Sequence, residues 1–425
     1  MWQEYMSERR PLTETGPRPA ENIIYYGEPG SYSHMAAREY ARRSGKGSDL
    51  AGNESVDEIL EHVGQHGGWA VLPIENTNGG AVRMTLEGLD RLAKNGKKPV
   101  IVGELEILVD HQLMSSGPLD RVEKILTHLQ AALQCSGRLK ALFADLGREI
   151  PIITQDFSDS NRPLSTSRAA MMAAKDSTLA AIASEEAAKL YGLPVIWRGM
   201  QDNANNATRF IVVGCEPPEY DKDLEYKTSM IVYLKDQPGA LYTMLGYLEK
   251  HGINLRQLNS YKPFTGNDFS DHGFFITIDG HVAQGNVREA LDELEKEVSK
   301  FQQLGSYKKG VEIASDEDLD WQSQIEQTRE RFAGQKNGSE IHLLFTLADK
   351  PGALRAALRP FAENNINLTL VDSWPTGKMG VHGFTLSFEN RPSQIPVQNL
   401  IGKMQEACQL VAKVNSNSGD LTNQL

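Results

Sequence analysis

Long apolar runs, paired cysteines and a surplus of basic residues are all missing from this 425-residue chain. No stretch approaches the roughly 18 consecutive apolar residues that a membrane-spanning helix needs, so no membrane partner is expected. Cysteine occurs three times, at Cys135, Cys215 and Cys408, far apart and with no CxxC pair. That spacing excludes a disulfide scaffold and a thiolate metal site, points to a reducing compartment, and makes each cysteine a small apolar filler. Lys and Arg number 44 against 56 Asp and Glu, a formal net charge of -12. Such a balance argues against nucleic acid as a principal partner, and local donors must bind any anionic ligand against an unfavourable field. The first 22 residues carry Glu4, Glu8, Glu14 and several prolines but no apolar core. They read as a polar arm with neither a secretory signal nor a transit peptide, and the expected location is cytoplasmic.

What is present is the composition of a globular protein, 40% hydrophobic and 24% charged, at a length that suggests about two to four domains. Between residues 23 and 215 short apolar runs alternate with helical patterns. Strands are predicted at 22–26, 69–72, 101–109, 122–126, from 152, at 180–183 and from 211. Helices are predicted at 34–43, 79–95, 131–146, 168–174 and 185–191. Alternation of this kind means α/β layers with largely parallel pairing.

Polar residues recur at one place in that alternation. Gly30, Ser31 and Ser33 follow the first strand, and Glu75, Asn76 and Thr77 follow the second. His128 and Gln130 follow the strand ending at Leu126, Ser165 and Thr166 precede the helix from Arg168, and Thr208-Arg209-Phe210 meets the last strand. In an open parallel sheet the strand C-termini and helix N-termini share one rim, where backbone amides favour carboxylate or phosphate. Each cluster alone reads as an ordinary helix cap; four on one rim, with Thr208 and Arg209, point to an anion-binding cleft.

From about residue 228 the pattern becomes β-α-β-β-α-β, and it occurs twice. Asp349-Lys-Pro-Gly-Ala-Leu repeats Asp236-Gln-Pro-Gly-Ala-Leu 113 residues later (349 − 236). Ile366-Asn367-Leu368 repeats Ile253-Asn254-Leu255, and Ser373 repeats Ser260, at the same spacing. One constant offset marks a duplication. The repeats span 228–308 and 339–415, joined by a charged, partly helical linker at 309–338 and followed by a tail at 416–425.

These residues resemble the prephenate dehydratase family, followed by ACT regulatory domains. The resemblance rests on Tyr26-Gly27-x-x-Gly30-Ser31-Tyr32-Ser33-His34, Val71-Leu72-Pro73-Ile74-Glu75-Asn76-Thr77, Thr127-His128-Leu129-Gln130 with Gln134-Cys135, Ser165-Thr166-x-x-Ala169-Ala170, Ala181 to Ser184 with Leu190-Tyr191-Gly192-Leu193, and Asn206 to Phe210. It implies an α/β, two-subdomain, periplasmic-binding-protein-like catalytic domain over 23–215, followed by two ferredoxin-like βαββαβ ACT domains. The implied reaction decarboxylates and dehydrates prephenate, a dicarboxylate, to phenylpyruvate in phenylalanine biosynthesis, with no metal or organic cofactor. Thr208 is carried over as the donor to the leaving hydroxyl, with Asn76 and Thr166 as catalytic partners that orient substrate. Ser31, Ser33, Glu75, Thr77, His128, Gln130, Ser165, Arg209 and Phe210 are carried over as substrate-binding. Arg209 has two readings, partner of a substrate carboxylate or structural partner of Glu75.

The ACT resemblance implies an amino-acid effector, phenylalanine, at two interface sites. One is expected on Gly239, Ala240 and Leu241 with Asn254, the other on Gly352, Ala353 and Leu354 with Asn367. An intrachain ACT pair is the expectation, beside conventional pairing between chains, within a homo-oligomer (dimer or tetramer). The family's Glu-Ser-Arg-Pro after the second ACT strand is replaced by Asn259-Ser260-Tyr261-Lys262 and Asp372-Ser373-Trp374-Pro375. The two sites are therefore expected to differ. Other readings are a prephenate decarboxylase that keeps the hydroxyl, an arogenate dehydratase, and a non-enzymatic amino-acid sensor.

Overall fold

A computed structural model describes residues 22–47, 49–94, 99–156, 163–261, 271–311, 321–332, 340–376, 378, 380–389 and 395–414. The polar arm before Asn22, Lys262, the tail at 416–425 and parts of the linker lie outside the described residues. The chain packs as two units, one drawn from 1–74, 105–215 and 311–313, the other from 75–104, 216–310 and 314–425. No described helix is long and apolar enough to cross a membrane.

The first half of the chain begins β1 (Asn22–Tyr26), α1 (Tyr32–Ser44), β2 (Asp49–Asn53), α2 (Val56–His66), β3 (Trp69–Asn76), β4 (Gly80–Ala81), α3 (Arg83–Lys94) and β5 (Val100–Leu108). It continues β6 (His111–Ser115), β7 (Lys124–Leu126), α4 (Leu129–Gln134), α5 (Ser136–Leu146), β8 (Ile152–Ile153), α6 (Thr166–Ala173), β9 (Leu179–Ser184), α7 (Glu185–Tyr191), β10 (Val195–Trp197) and β11 (Ala207–Gly214). These strands form two sheets, as the two-subdomain expectation requires. One runs β2-β1-β3-β11-β5 with β4 on the end of β3, and the other runs β10-β6-β9-β7-β8.

Strand β1 is parallel to β2 and β3, and β7 is parallel to β8 and β9. Strand β6, which the sequence reading did not anticipate, is antiparallel to β9 and β10. The second sheet is therefore mixed. Strand β9 explains why a continuous apolar run reads as a buried strand. Ala181 and Ala183 face a core with Met114, Leu126 and the α6 alanines. Ala180 and Ile182 face the opposite core with Leu113, Ile125 and Leu139. Both faces of the strand are covered, so neither can be polar. The predicted helix at 131–146 is two helices broken at Cys135, which is buried in the second of these cores. Cys215, by contrast, is exposed, and filling the core is not its role.

The second half holds β12 (Tyr226–Lys235), α8 (Ala240–Lys250), β13 (Leu255–Tyr261), β14 (Asp271–Asp279), α9 (Gly285–Glu297), β15 (Lys300–Lys308), and then α10 (Trp321–Phe332). It ends with β16 (Glu340–Ala348), α11 (Ala353–Glu363), β17 (Leu368–Pro375), β18 (Val381–Glu389), α12 (Val397–Met404) and β19 (Leu410–Val414). Both repeats thus have the β-α-β-β-α-β order, and they join within the chain. Their strands make one sheet, β15-β12-β14-β13-β17-β18-β16-β19, closed in the middle by antiparallel β13 and β17 with Asn259 opposite Asp372.

Side chains clasp that seam about a pseudo-dyad. The Leu258 N–H donates to Ser373 Oγ at 2.9 Å, and the Val371 N–H donates to Ser260 Oγ at 2.9 Å. Asp372 Oδ1 accepts from the Ser260 N–H at 3.1 Å. Of the residues that replace the family's Glu-Ser-Arg-Pro, Asn259, Ser260, Asp372 and Ser373 are therefore seam residues. One apolar core, including Val232, Leu245, Leu248, Phe345, Leu358 and Phe361, is shared by both repeats.

Two further features of this unit differ from the sequence reading. Within the linker the described helix α10 is packed, since its Ile325 and Trp321 lie with Leu344, Trp374 and Val414 on the second repeat's sheet. Phe332 stacks on His342 with ring centroids 3.9 Å apart, and Arg331 pairs with Asp372. The segment 75–104 packs with the first repeat: Lys227 Nζ lies 2.8 Å from Glu104 Oε1, both groups being buried, and the Tyr233 hydroxyl donates to Asp90 at 2.5 Å.

Candidate active site

In the first unit the β1–α1 loop is positioned by the elements of the second sheet. Gly30 has a positive φ of 82°, and a Cβ there would lie 3.1 Å from the Ala187 backbone, so only glycine fits. Ser184 Oγ donates to the Gly30 carbonyl at 2.6 Å, and Ser167 Oγ donates to the Pro29 carbonyl. Glu28, buried in the same loop, accepts from Ser165 Oγ at 2.5 Å and lies 3.8 Å from the Arg168 guanidinium, which pairs at 2.6 Å with buried Asp156.

The cap reading of the rim holds for several of its residues. Ser31 caps α1, accepting from the His34 N–H at 3.2 Å, and Ser165 caps α6, accepting from the Arg168 N–H at 3.0 Å. His128 caps α4 through Nδ1, which accepts from the Gln130 N–H at 3.1 Å. Burial holds His128 below its usual pKa, so the ring is neutral and its proton sits on Nε2. The Ser165 hydroxyl, besides capping α6, donates to Glu28 Oε2. Among the described residues the Ser31 hydroxyl serves as a cap acceptor. Ser33 is buried in the first turn of α1, and Thr166 is half-buried in the first turn of α6.

A chain of hydrogen bonds that the sequence did not reveal runs beside this rim. The Tyr32 hydroxyl lies 3.2 Å from His111 Nδ1, and His111 Nε2 lies 3.2 Å from Gln134 Oε1. Donation from Nε2 to the amide oxygen leaves Nδ1 to accept from the phenol. Burial pushes His111 down to about 4, so this neutral form persists at neutral pH. His34 is likewise pushed down to about 4, first by burial and then by Arg38, and its Nδ1 accepts from the Gly30 N–H at 3.1 Å. Neighbouring Gln112 is wholly buried, with neither amide atom bonded among the described residues. Tyr32 and Gln134 stand inside the quoted motifs, but only folding brings His111, 79 residues from Tyr32, between them.

Thr208 is the half-open residue of β11, whose other residues are all buried. Strand alternation sends Thr208 and Arg209 to opposite faces of the sheet, and Arg209 is buried. Phe210 is buried on the Thr208 side. Asn206, just upstream, anchors the passage between the sheets by accepting from the Val109 N–H at 2.8 Å. Glu75, Asn76 and Thr77 fall in the other unit, all buried, at the end of β3. There Asn76 Oδ1 accepts from the N–H groups of Asn78 at 3.0 Å and Gly79 at 2.8 Å, fixing the turn into β4. Gln130 is exposed on α4.

The repeats form two clefts, and each cleft takes residues from both repeats. The first, about 510 Å³, is lined by Gly239, Ala240 and Leu241 together with Phe361, Ile366 and Asn367. The second, about 390 Å³, is lined by Gly352, Ala353 and Leu354 together with Leu248, Ile253 and Asn254. The expected pairing of each Gly-Ala-Leu turn with the asparagine of its own repeat is therefore corrected. Asn367 donates to Asp236 at 2.5 Å and Asn254 to Asp349 at 2.5 Å, each across the pseudo-dyad. Antiparallel pairing of β13 with β17 places the strand start of one repeat at the other's turn.

Comparison with known proteins matches residues 23–218 to the Prephenate dehydratase family and residues 341–396 to the ACT domain family. The bifunctional chorismate mutase/prephenate dehydratase of Aquifex aeolicus is 32% identical over 293 residues, which cover 68% of this chain and 74% of that protein. The solved prephenate dehydratase of Arthrobacter aurescens, in complex with L-Phe, superposes with a TM-score of 0.57 at 25% identity over 68% of this chain and 90% of its own. A solved quorum quenching acylase, GqqA, has a TM-score of 0.55 at 27% identity over 67% of this chain and 97% of its own.

Proposed function

This chain belongs to the prephenate dehydratase family, and from that premise we propose how its own residues carry out and regulate the reaction. Prephenate loses its ring carboxylate as carbon dioxide. The electron pair of that carbon–carbon bond enters the ring, the bond to the ring hydroxyl breaks, and the departing oxygen leaves as water once protonated. The ring becomes aromatic and phenylpyruvate remains. The steep part of the barrier is negative charge growing on the leaving oxygen, so an oriented donor at that oxygen matters most.

Thr208 is that donor. The observation that carries the assignment is that Thr208 is half-buried on a strand whose other residues are all buried. Threonine is too weak an acid to give up its proton unaided, so it stabilises the oxygen by a hydrogen bond or passes on a proton that it regains. Asn76 and Thr166 orient the substrate. Ser31 and Ser33 donate to its carboxylates at the N-terminus of α1, where the helix dipole adds to their attraction. Glu75, Thr77, His128, Gln130 and Phe210 shape the binding surface. Arg209, on the face opposite Thr208, supplies buried positive charge that holds the strand start rather than touching substrate.

The first repeat is read as an ACT domain like the second, on its identical element order and the shared 113-residue spacing of Asp236 and Asp349. The paired repeats take L-phenylalanine as feedback inhibitor between them. The test of the activity is incubation of the purified protein with prephenate, with phenylpyruvate followed by its absorbance in alkali. Phenylpyruvate formation is expected. A non-aromatic decarboxylated product would mean a decarboxylase, turnover of arogenate alone would mean an arogenate dehydratase, and no turnover would leave a sensor. The likeness to an acylase shows that this fold can host other chemistry, so the assay decides.

A further inference from the structure

The two clefts between the repeats are related by a pseudo-dyad, yet the side chains at three symmetric positions differ in a way that opens one and closes the other. In the second cleft Glu249 reaches across from the first repeat. Its Oε1 lies 2.6 Å from where a Cβ on Gly352 would sit, so its carboxylate rests on the turn. Arg355, in the first turn of α11, pairs with Glu249 Oε2 and stacks over the Tyr242 ring, its guanidinium carbon 4.4 Å from the centroid. Asp349 of the same turn is fully engaged: Oδ1 accepts from Asn254 and faces His382 at 3.3 Å, while Oδ2 pairs with Arg256. Burial pushes Asp349 up, but His382, Asn254 and Arg256 together outweigh it and hold the carboxyl well below its usual range.

The first cleft has the same backbone without these groups. Its turn begins at Gly239, whose φ of 80° matches the 79° of Gly352. The counterpart of Glu249 is Ala362, whose Cβ lies 3.8 Å from where a Cβ on Gly239 would sit. Arg256 is replaced by Thr369, which instead donates to Glu340, and Arg355 is replaced by Tyr242. Asp236 accepts through Oδ1 from Asn367 and faces His272 at 3.2 Å, its side chain is 35% exposed, and its Oδ2 has no partner among the described residues. Beyond the turn lie Phe274, Leu358, Phe361 and Ile366.

We propose that this chain binds one effector amino acid, not two: the cleft at Gly239 is the receptor site, and the cleft at Gly352 is closed to a ligand because the protein's own Glu249, held by Arg355, rests on its turn and Arg256 occupies Asp349. The proposal rests on the reading of the repeats as an effector-binding pair. In the first cleft the turn amides face a ligand carboxylate without competition, the open Asp236 oxygen attracts its ammonium, and the apolar wall takes an aromatic or branched side chain. In the second cleft a ligand carboxylate would meet the Glu249 carboxylate at the same turn, and its ammonium would meet Arg256 at Asp349. Like charge opposes the ligand at both ends.

The experiment is titration calorimetry of the full chain with L-phenylalanine, then with L-tyrosine and L-tryptophan. One site per chain is expected for the wild type, for at least one of the three. Ala362→Glu, which copies the closed cleft into the open one, is expected to weaken binding at least 100-fold, with far-UV circular dichroism unchanged. The double variant Glu249→Ala/Arg256→Thr copies the open cleft into the closed one and is expected to bind two ligands per chain, a gain that misfolding cannot produce. Two equal sites in the wild type, or a single site that survives Ala362→Glu, would overturn the proposal while leaving the effector reading intact. A stoichiometry of one in the double variant would overturn the assignment of these side chains as the closure. No saturable binding by any of the three amino acids would overturn the effector reading, and the proposal with it.

Discussion

Ser184 in the first unit and Ser260 in the second both use a hydroxyl to hold backbone, but only Ser260 has a counterpart. Ser184 secures the Gly30 carbonyl, next to Ser167 on the Pro29 carbonyl, with no symmetry partner among the described residues, whereas Ser373 mirrors Ser260 across the seam at the same 2.9 Å. The contrast extends to the rest of each unit. Glu28, His111 and Thr208 each occupy a unique position, so any loss there is uncompensated. In the repeats the clasp is duplicated, and residues that no longer needed to match have diverged, as Glu249 and Ala362 have. Duplication preserves what sets the backbone and releases what lines a cleft. It also leaves some positions of the second unit as singular as those of the first. Lys227, buried against Glu104, corresponds to Glu340, which bonds Thr369 instead.

The largest expected effect tests that last exception. Lys227→Met leaves the Glu104 carboxylate buried without its cation, a loss worth about 3–5 kcal/mol in urea unfolding. Adding Glu104→Leu should restore most of it, because two apolar residues dispense with the buried charge. A single-variant cost below about 1 kcal/mol would mean that the pair is relaxed by water and that the first repeat's docking is not singular.

Next in size is Thr208→Ala. Loss of one oriented donor to a developing oxyanion typically lowers turnover about 100- to 1000-fold. Steady-state kinetics with prephenate, on a variant whose circular dichroism matches wild type, reads this directly. Turnover within a few-fold of wild type would remove Thr208 from the mechanism and place the leaving-group donor elsewhere on the rim.

The smallest effect sharpens the symmetric side of the comparison. Ser260→Ala and Ser373→Ala each leave one seam N–H, of Val371 or Leu258, without its acceptor. Each should cost about 1–3 kcal/mol, and the two costs should agree within about 0.5 kcal/mol because the geometries match. If one variant is neutral and the other costly, the seam is less symmetric than its distances, and divergence has reached the clasp as well as the clefts.

Much of this molecule was legible as sequence, in ways that follow from what each signal measures. Strand β9 could be read from its apolar run, and the duplication from its constant offset. Strands β2 and β6 were missed because Asp49 to Asn53 and His111 to Ser115 mix polar residues with few apolar ones, and tertiary pairing rather than propensity makes them strands. Helix α10 read as a solvated linker because charge dominates it, although Trp321, Ile325 and Phe332 recur on one face that packs against the second repeat. The serine caps were legible as caps, but the use of Ser165 by Glu28 was not, because Glu28 lies 137 residues away.

The sequence by itself determined the types of most elements, the duplication and the family. All of these are local or periodic properties, and a one-dimensional pattern carries them. Only the tertiary structure decided which asparagine meets which Gly-Ala-Leu turn, that His111 bridges Tyr32 and Gln134, and that Glu249 closes one cleft while Ala362 leaves the other open. Those outcomes depend on strand order and on an antiparallel seam between β13 and β17. Register across such a seam is set by hydrogen bonds between residues more than a hundred positions apart.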